Sequence, residues 1–92
     1  MELSDKVAVS ENVVTREVSG ETVLLDLEKG TYFGLNTVGG RIWTLVEEEP
    51  RTLSQVKDVV CSEFAVSEQD AQRDVLDLAS QLHEHGLLTR AD

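Results

Sequence analysis

At Asn36 this chain changes character. Upstream lie three short runs rich in β-branched residues, Val13–Val18, Thr22–Leu27 and Thr31–Leu35, the composition and length of strands. Downstream, apolar residues recur at every third or fourth position, the spacing of one helix face. Ninety-two residues without a linker or a repeat are expected to form one domain with a small core, residues 1–92. A sheet of three strands needs a cover, and only the helices can supply it. The expected fold is therefore α+β and winged-helix-like, a three-stranded antiparallel sheet followed by a three-helix bundle.

Turn chemistry sets the strand boundaries. Ser19–Glu21 reads as one turn, and "EKG" closes a second hairpin at Gly30, where glycine takes a positive φ without strain. In the second strand Val23, Leu25 and Leu27 share one face, and Thr22, Leu24 and Asp26 the other. In the third, Tyr32 points one way, and Thr31, Phe33 and Leu35 the other. One of Tyr32 and Phe33 must face the core; alternation alone leaves open which. Residues 1–12 read as a loosely tied lead-in, with Val7 and Val9 spaced as in a short edge strand.

The helices carry their own start and stop signals. Asn36 or Thr37 caps the first, which runs to about Glu48 with a core stripe of Val38, Ile42, Leu45 and Val46. Pro50 falls in the connection. Thr52 opens the second, with Gln55 at the capping-box position and Leu53, Val56, Val59 and Val60 on one face. Ser67 opens the third, whose stripe is Ala71, Val75, Leu78 and Leu82, and Gly86 stops it. Leu87 and Leu88 then return to the core.

Charge excludes several functions. Eighteen acidic residues against eight basic ones give −10. Nucleic acid and anionic membrane surfaces both call for Lys and Arg, so neither is an expected partner. The balance suits a partner carrying basic groups. Met1–Asp5 is polar and unlike a signal peptide, and no apolar run approaches a membrane span. A lone cysteine, Cys61, fits a reducing compartment, so a cytoplasmic location is expected. His83 and His85 point about 200° apart on a helix and do not share a metal. Gly39-Gly40 is followed by no Lys-Ser/Thr and makes no phosphate loop. No active site assembles, and neither catalysis nor a cofactor is expected.

Strand order points to binding instead. In a three-strand meander the third strand is an edge, with unpaired backbone groups that a peptide can meet as a fourth strand. Thr31, Tyr32, Phe33, Gly34 and Leu35 are the candidate contacts. Gly34 leaves room for an approaching backbone or for close packing. Gly39 and Gly40 let the first helix lie close to the third strand. The third helix supplies the other wall: Asp70, Asp74, Asp77 and Gln81 on one flank, Gln72, Leu76, Ala79 and His83 on the other. Leu76, about 120° from the centre of the core stripe, is the expected apolar contact. Asp70, Arg73, Asp74 and Asp77 form a charged rim, although an Asp74–Arg41 pair inside the fold is an equal reading. Trp43 is assigned to packing.

The stretch "VLLDLEKGTYFGLNTVGGRIW" resembles the PqqD-like family, the recognition elements for precursors of ribosomally made, modified peptides. Leu24-Leu25-Asp26, Gly30, Tyr32, Leu35-Asn36, Gly39, Ile42 and Trp43 match its pattern, and Asp74, Val75, Leu78, Leu82, Gly86, Leu87 and Leu88 match its final helix. The resemblance spans about Val13 to Leu88. It implies capture of a precursor's leader segment beside the third strand, against the third helix, and presentation to a modifying enzyme. Members serving quinone cofactor synthesis hand it to a radical S-adenosylmethionine enzyme. Their usual "PEG" turn is "LEKGTYF" here, which is more similar to stand-alone elements of lasso-peptide clusters, whose partners include a leader peptidase. Two rivals are a DNA-binding winged helix, which needs a basic recognition helix, and an adaptor that tethers enzymes without holding peptide.

Overall fold

The structure, a computed structural model, describes residues 1–91; Asp92, the last residue of the expected domain, lies outside the described residues. In chain order the elements are β1 (Lys6–Val9), β2 (Val13–Val18), β3 (Glu21–Asp26), β4 (Thr31–Leu35), α1 (Thr37–Glu48), β5 (Arg51–Thr52), α2 (Leu53–Glu63), α3 (Glu68–Glu84) and β6 (Leu88–Arg90). The three expected strands are β2, β3 and β4, an antiparallel sheet in that order, and the three expected helices follow.

Two tight turns fix the sheet. Ser19 (φ 53°) and Gly20 (φ 82°) make a two-residue turn whose twist suits its flanking strands. The second turn hangs on Asp26. Its Oδ1 accepts from Glu28 N (3.0 Å) and Lys29 N (3.1 Å), and its carbonyl accepts from Gly30 N (2.8 Å). Register then separates the faces. Thr15, Leu24 and Phe33 form one cross-strand row; Val14, Leu25 and Tyr32 form the next. Leu24 is buried, while Tyr32 is 77% exposed. Phe33 therefore shares the inner face with Leu24 and Leu35, and Tyr32 looks outward.

α1 covers that inner face at close range. Asn36 caps it, its Oδ1 accepting from Gly39 N at 2.8 Å. A Cβ on Gly40 would stand 2.5 Å from Thr22 Oγ1, and one on Gly39 would stand 3.3 Å from Leu78 Cδ2 and 3.4 Å from Leu35 Cβ. The two glycines thus bring α1 against β3 and α3 as well as the expected β4. Trp43 is buried, and its indole N–H donates to Thr15 Oγ1 (2.9 Å), which donates to Glu47 Oε2 (2.8 Å). The α2 capping box is present, Thr52 Oγ1 accepting from Gln55 N and Gln55 Oε1 from Thr52 N. In α3 the buried stripe is Ala71, Val75, Ala79 and Leu82. Ala79 has moved in from the expected flank, and Leu78 is only half-buried.

A second sheet completes the fold. β1, in the stretch read as a loose lead-in, pairs with β5 on one side and β6 on the other. Val7 is fully buried, and Leu87 and Leu88 beyond the Gly86 stop are buried with it.

Two stability predictions follow from this packing. Gly40→Ala gains up to ~1 kcal/mol of helix propensity but meets Thr22, an overpacking cost of roughly 1–3 kcal/mol. It should lower the urea midpoint alone and leave it equal or higher in a Thr22→Ala background; stabilisation in the native background would contradict the close approach. The second concerns Arg41, whose Nε and Nη2 donate to Glu63 Oε1 (2.8 Å) and Oε2 (2.9 Å), joining α1 to α2. That hydrogen bond holds Glu63 below its ordinary pKa. Its stabilisation is present above the usual carboxylate range and fades as pH falls through the depressed value. Glu63→Gln should lower the thermal midpoint at neutral pH and have no effect in strong acid; an equal loss at both would assign the effect to packing.

Candidate functional site

β4 hydrogen-bonds to β3 along its whole length, from Thr22↔Leu35 to Asp26↔Thr31. Among the described residues no strand pairs with its other side. Alternate residues of an antiparallel strand direct their N–H and C=O to each side, so β4 presents a row of such groups at the sheet margin. A five-residue edge is short enough to be tolerated in solution, yet long enough to accept a guest strand.

Beside this edge lies a cleft of about 480 Å³. β4 contributes Phe33, Gly34 and Leu35; the start of α1 contributes Val38, Gly39 and Ile42; α3 contributes Asp74, Asp77, Leu78 and Gln81. The α3 residues fall at i, i+3, i+4 and i+7, which is one helix face. The cleft therefore has an apolar floor and an acidic wall. No cationic side chain lines it. Asp74 has Arg73 Nε at 3.8 Å, and Asp77 has no ion pair among the described residues. Ile42 and Leu35 are 2% and 4% exposed, so the floor is part of the core and fixed by it.

Phe33 links this cleft to a smaller cavity of about 270 Å³, lined also by Leu24, Asp26, Lys29, Thr31, Tyr32, His85 and Leu87. Its ring lies 5.4 Å from that of His85, inclined by 56°. A larger cavity, about 630 Å³, sits among the β1–β2 connection, the Asp26 turn and Gly86. It includes no β4 residue and mixes Glu11, Glu28 and Lys29.

Of the residues singled out from sequence, Phe33, Gly34, Leu35, Asp74 and Asp77 meet in the cleft, while Thr31 and Tyr32 join Phe33 in the smaller cavity. Asp70, Arg73 and Leu76 line neither. Asp70 accepts from Arg73 at 2.9 Å, and Leu76 is half-buried against the core. Leu78 takes the place expected of Leu76; the two lie about 200° apart around α3. Asp74 does not pair with Arg41, whose partner is Glu63. Val38, Ile42, Leu78 and His85 were not expected at the site, whereas Gln81 lies on the flank of α3 read from the sequence as its wall. At Gly34 a Cβ would meet nothing within 4 Å, and the register runs through it without a bulge. No intramolecular packing accounts for that glycine.

Other chemistry is sparse. His83 Nδ1 lies 3.1 Å from Leu88 O, while His85 turns to Phe33. Among the described residues no group of three or more His, Cys, Asp or Glu is arranged to hold a metal ion. No described helix is long and apolar enough to cross a membrane.

Comparison with known proteins adds three findings. The family described as Coenzyme PQQ synthesis protein D (PqqD) matches residues 21–88. A solved structure described as TbiB1 in complex with the TbiA(beta) leader peptide is 40% identical, with a TM-score of 0.81, over 92% of this chain and 99% of that one. Another, described as lasso peptide synthetase B1 complexed with the leader peptide, is 25% identical, with a TM-score of 0.79, over 90% and 96% of the two chains. No curated protein matches.

The margin itself is open to test by amide exchange. Amides from Thr31 to Leu35 should alternate between protected and unprotected, because only alternate residues bond to β3. Uniform protection would mean that the edge is covered in solution.

Proposed function

The chain belongs to the PqqD family, and from that premise we propose that it is a leader-peptide-binding module that presents a precursor to its modifying enzyme. The observation that carries this reading is the open β4 edge beside an apolar cleft. The leader adds to β4 as a fourth strand. Backbone hydrogen bonds supply register at ~0.5–1.5 kcal/mol each, too little to offset ordering a peptide. Affinity must come from side chains buried in the cleft, at roughly 1.5–3 kcal/mol for each large apolar anchor. Phe33, Leu35 and Leu78 provide the floor for such anchors. Thr31 and Tyr32 extend the contact toward His85. Asp74 and Asp77 border it, and Asp70 and Arg73 lie farther along α3.

Binding without bond-making suits this lining, which offers carboxylates and amides but no nucleophile beside a base. Likeness to two leader-peptide complexes, one of them of a lasso peptide synthetase B1, favours a lasso pathway over quinone synthesis; the enzyme we expect to receive the peptide is a leader peptidase. DNA is disfavoured: α3 carries Glu68, Asp70, Asp74, Asp77 and Glu84 against a single arginine, Arg73. A lone cysteine suits a reducing compartment, and a cytoplasmic site of action is part of this proposal.

Titration of labelled TbiA(beta) leader peptide, the ligand of the 40% identical relative, tests the reading. Saturable binding is expected, weakened tenfold or more (~1.4 kcal/mol) by Phe33→Asp or Leu78→Glu and little changed by Leu76→Gln. Unchanged affinity in both cleft variants, with folding intact by circular dichroism, would remove the cleft from the account.

A further inference from the structure

Resting on that reading, we propose that the guest strand is cationic on its inward face. It seats an apolar side chain over Phe33, Leu35 and Leu78, and two residues away it aims a Lys or Arg at Asp74 and Asp77. The cleft lining holds two carboxylates and no cation. Beside it, Arg73 is 64% exposed, donates to Asp70 at 2.9 Å and lies 3.8 Å from Asp74. Asp77 has no ion-pair partner among the described residues. Among the described residues, then, only the long Arg73 contact to Asp74 offsets this wall, and Asp77 is left without a counter-charge.

The guest's chemistry follows from geometry and charge. A strand places residues i and i+2 on the same face, about 7 Å apart, so two inward side chains enter one cleft. Leu78 directly follows Asp77 and lies one turn beyond Asp74, which sets apolar surface beside carboxylate along the same wall. Lys and Arg match that juxtaposition: the methylene stem lies on the apolar surface and the charged head reaches the rim. An acidic residue at the same point would meet two carboxylates in a chain of net charge −10 and be repelled. The wall thus selects by attraction and by exclusion.

Selection from a phage-displayed library of random linear peptides tests this, using the full chain and an Asp74→Asn/Asp77→Asn variant in parallel. Both substitutions are at exposed helix positions. The native chain should enrich peptides with an apolar anchor and a Lys or Arg two residues away. The variant should keep the anchor and lose the cation. A selected peptide should bind the variant about tenfold more weakly, and its Lys→Gln form should bind both chains alike. Enrichment of anchors without cations, or identical selections on both chains, would overturn the proposal and leave strand addition standing. Selected peptides indifferent to Leu78→Glu would overturn both.

Discussion

The open edge of β4 depends on where the N-terminal strand goes. β1 is hydrogen-bonded on both sides, to β5 and to β6, and has no free margin to offer another strand. Its flanks are tied as firmly: Leu53 N donates to Asp5 O (3.0 Å), Ser54 N to Leu3 O (2.9 Å) and Ala91 N to Lys6 O (2.8 Å). Simple continuation of the meander would have set this segment beside β2; only by crossing over to β4 would it have covered that edge. Joined instead to the chain's last strand, it holds both ends of the described chain away from that edge. An unpaired edge invites association of like chains. Shortness and a net charge of −10 oppose that here.

A second constraint shapes the cleft. Gly39 admits α1 to within van der Waals contact of Leu35 and Leu78, so sheet, α1 and α3 converge at one point. Floor residues are then also core residues, Ile42 and Leu35 above all. A surface held by the core loses little freedom when a guest lands on it, and that pre-organisation is how a small interface reaches useful affinity. Stability and recognition share the same side chains. Changes at Leu35 or Ile42 would confound the two, whereas Leu78 and Phe33, half-buried at the lip, separate them.

Much of this was legible in the sequence, for identifiable reasons. Strands β2 to β4 and all three helices announce themselves by composition, periodicity and caps, and Asn36, Thr52, Ser67 and Gly86 act as read. β5 and β6 escaped because two or three residues carry no periodicity and gain their structure from distant partners. The inner face of β3 could not be chosen, since Val23, Leu25 and Leu27 look as apolar as Leu24; the pairing register decided it. The acidic flank of α3 was visible, but its wheel was misread by a fraction of a turn. Small Ala79 packs in the stripe, which turns Leu78 outward and Leu76 away from the cleft. His85 entered through a contact with Phe33 across 52 positions of chain, which no local pattern reveals.

One measurement bears most directly on strand addition. In a complex of isotope-labelled chain with unlabelled leader peptide, cross-strand nuclear Overhauser contacts should link the peptide backbone to alternate residues of Thr31–Leu35, with peptide side chains touching Leu78. Contacts confined to the Tyr32 face of the sheet, or to the surface near Gly86, would contradict the account and place the peptide elsewhere.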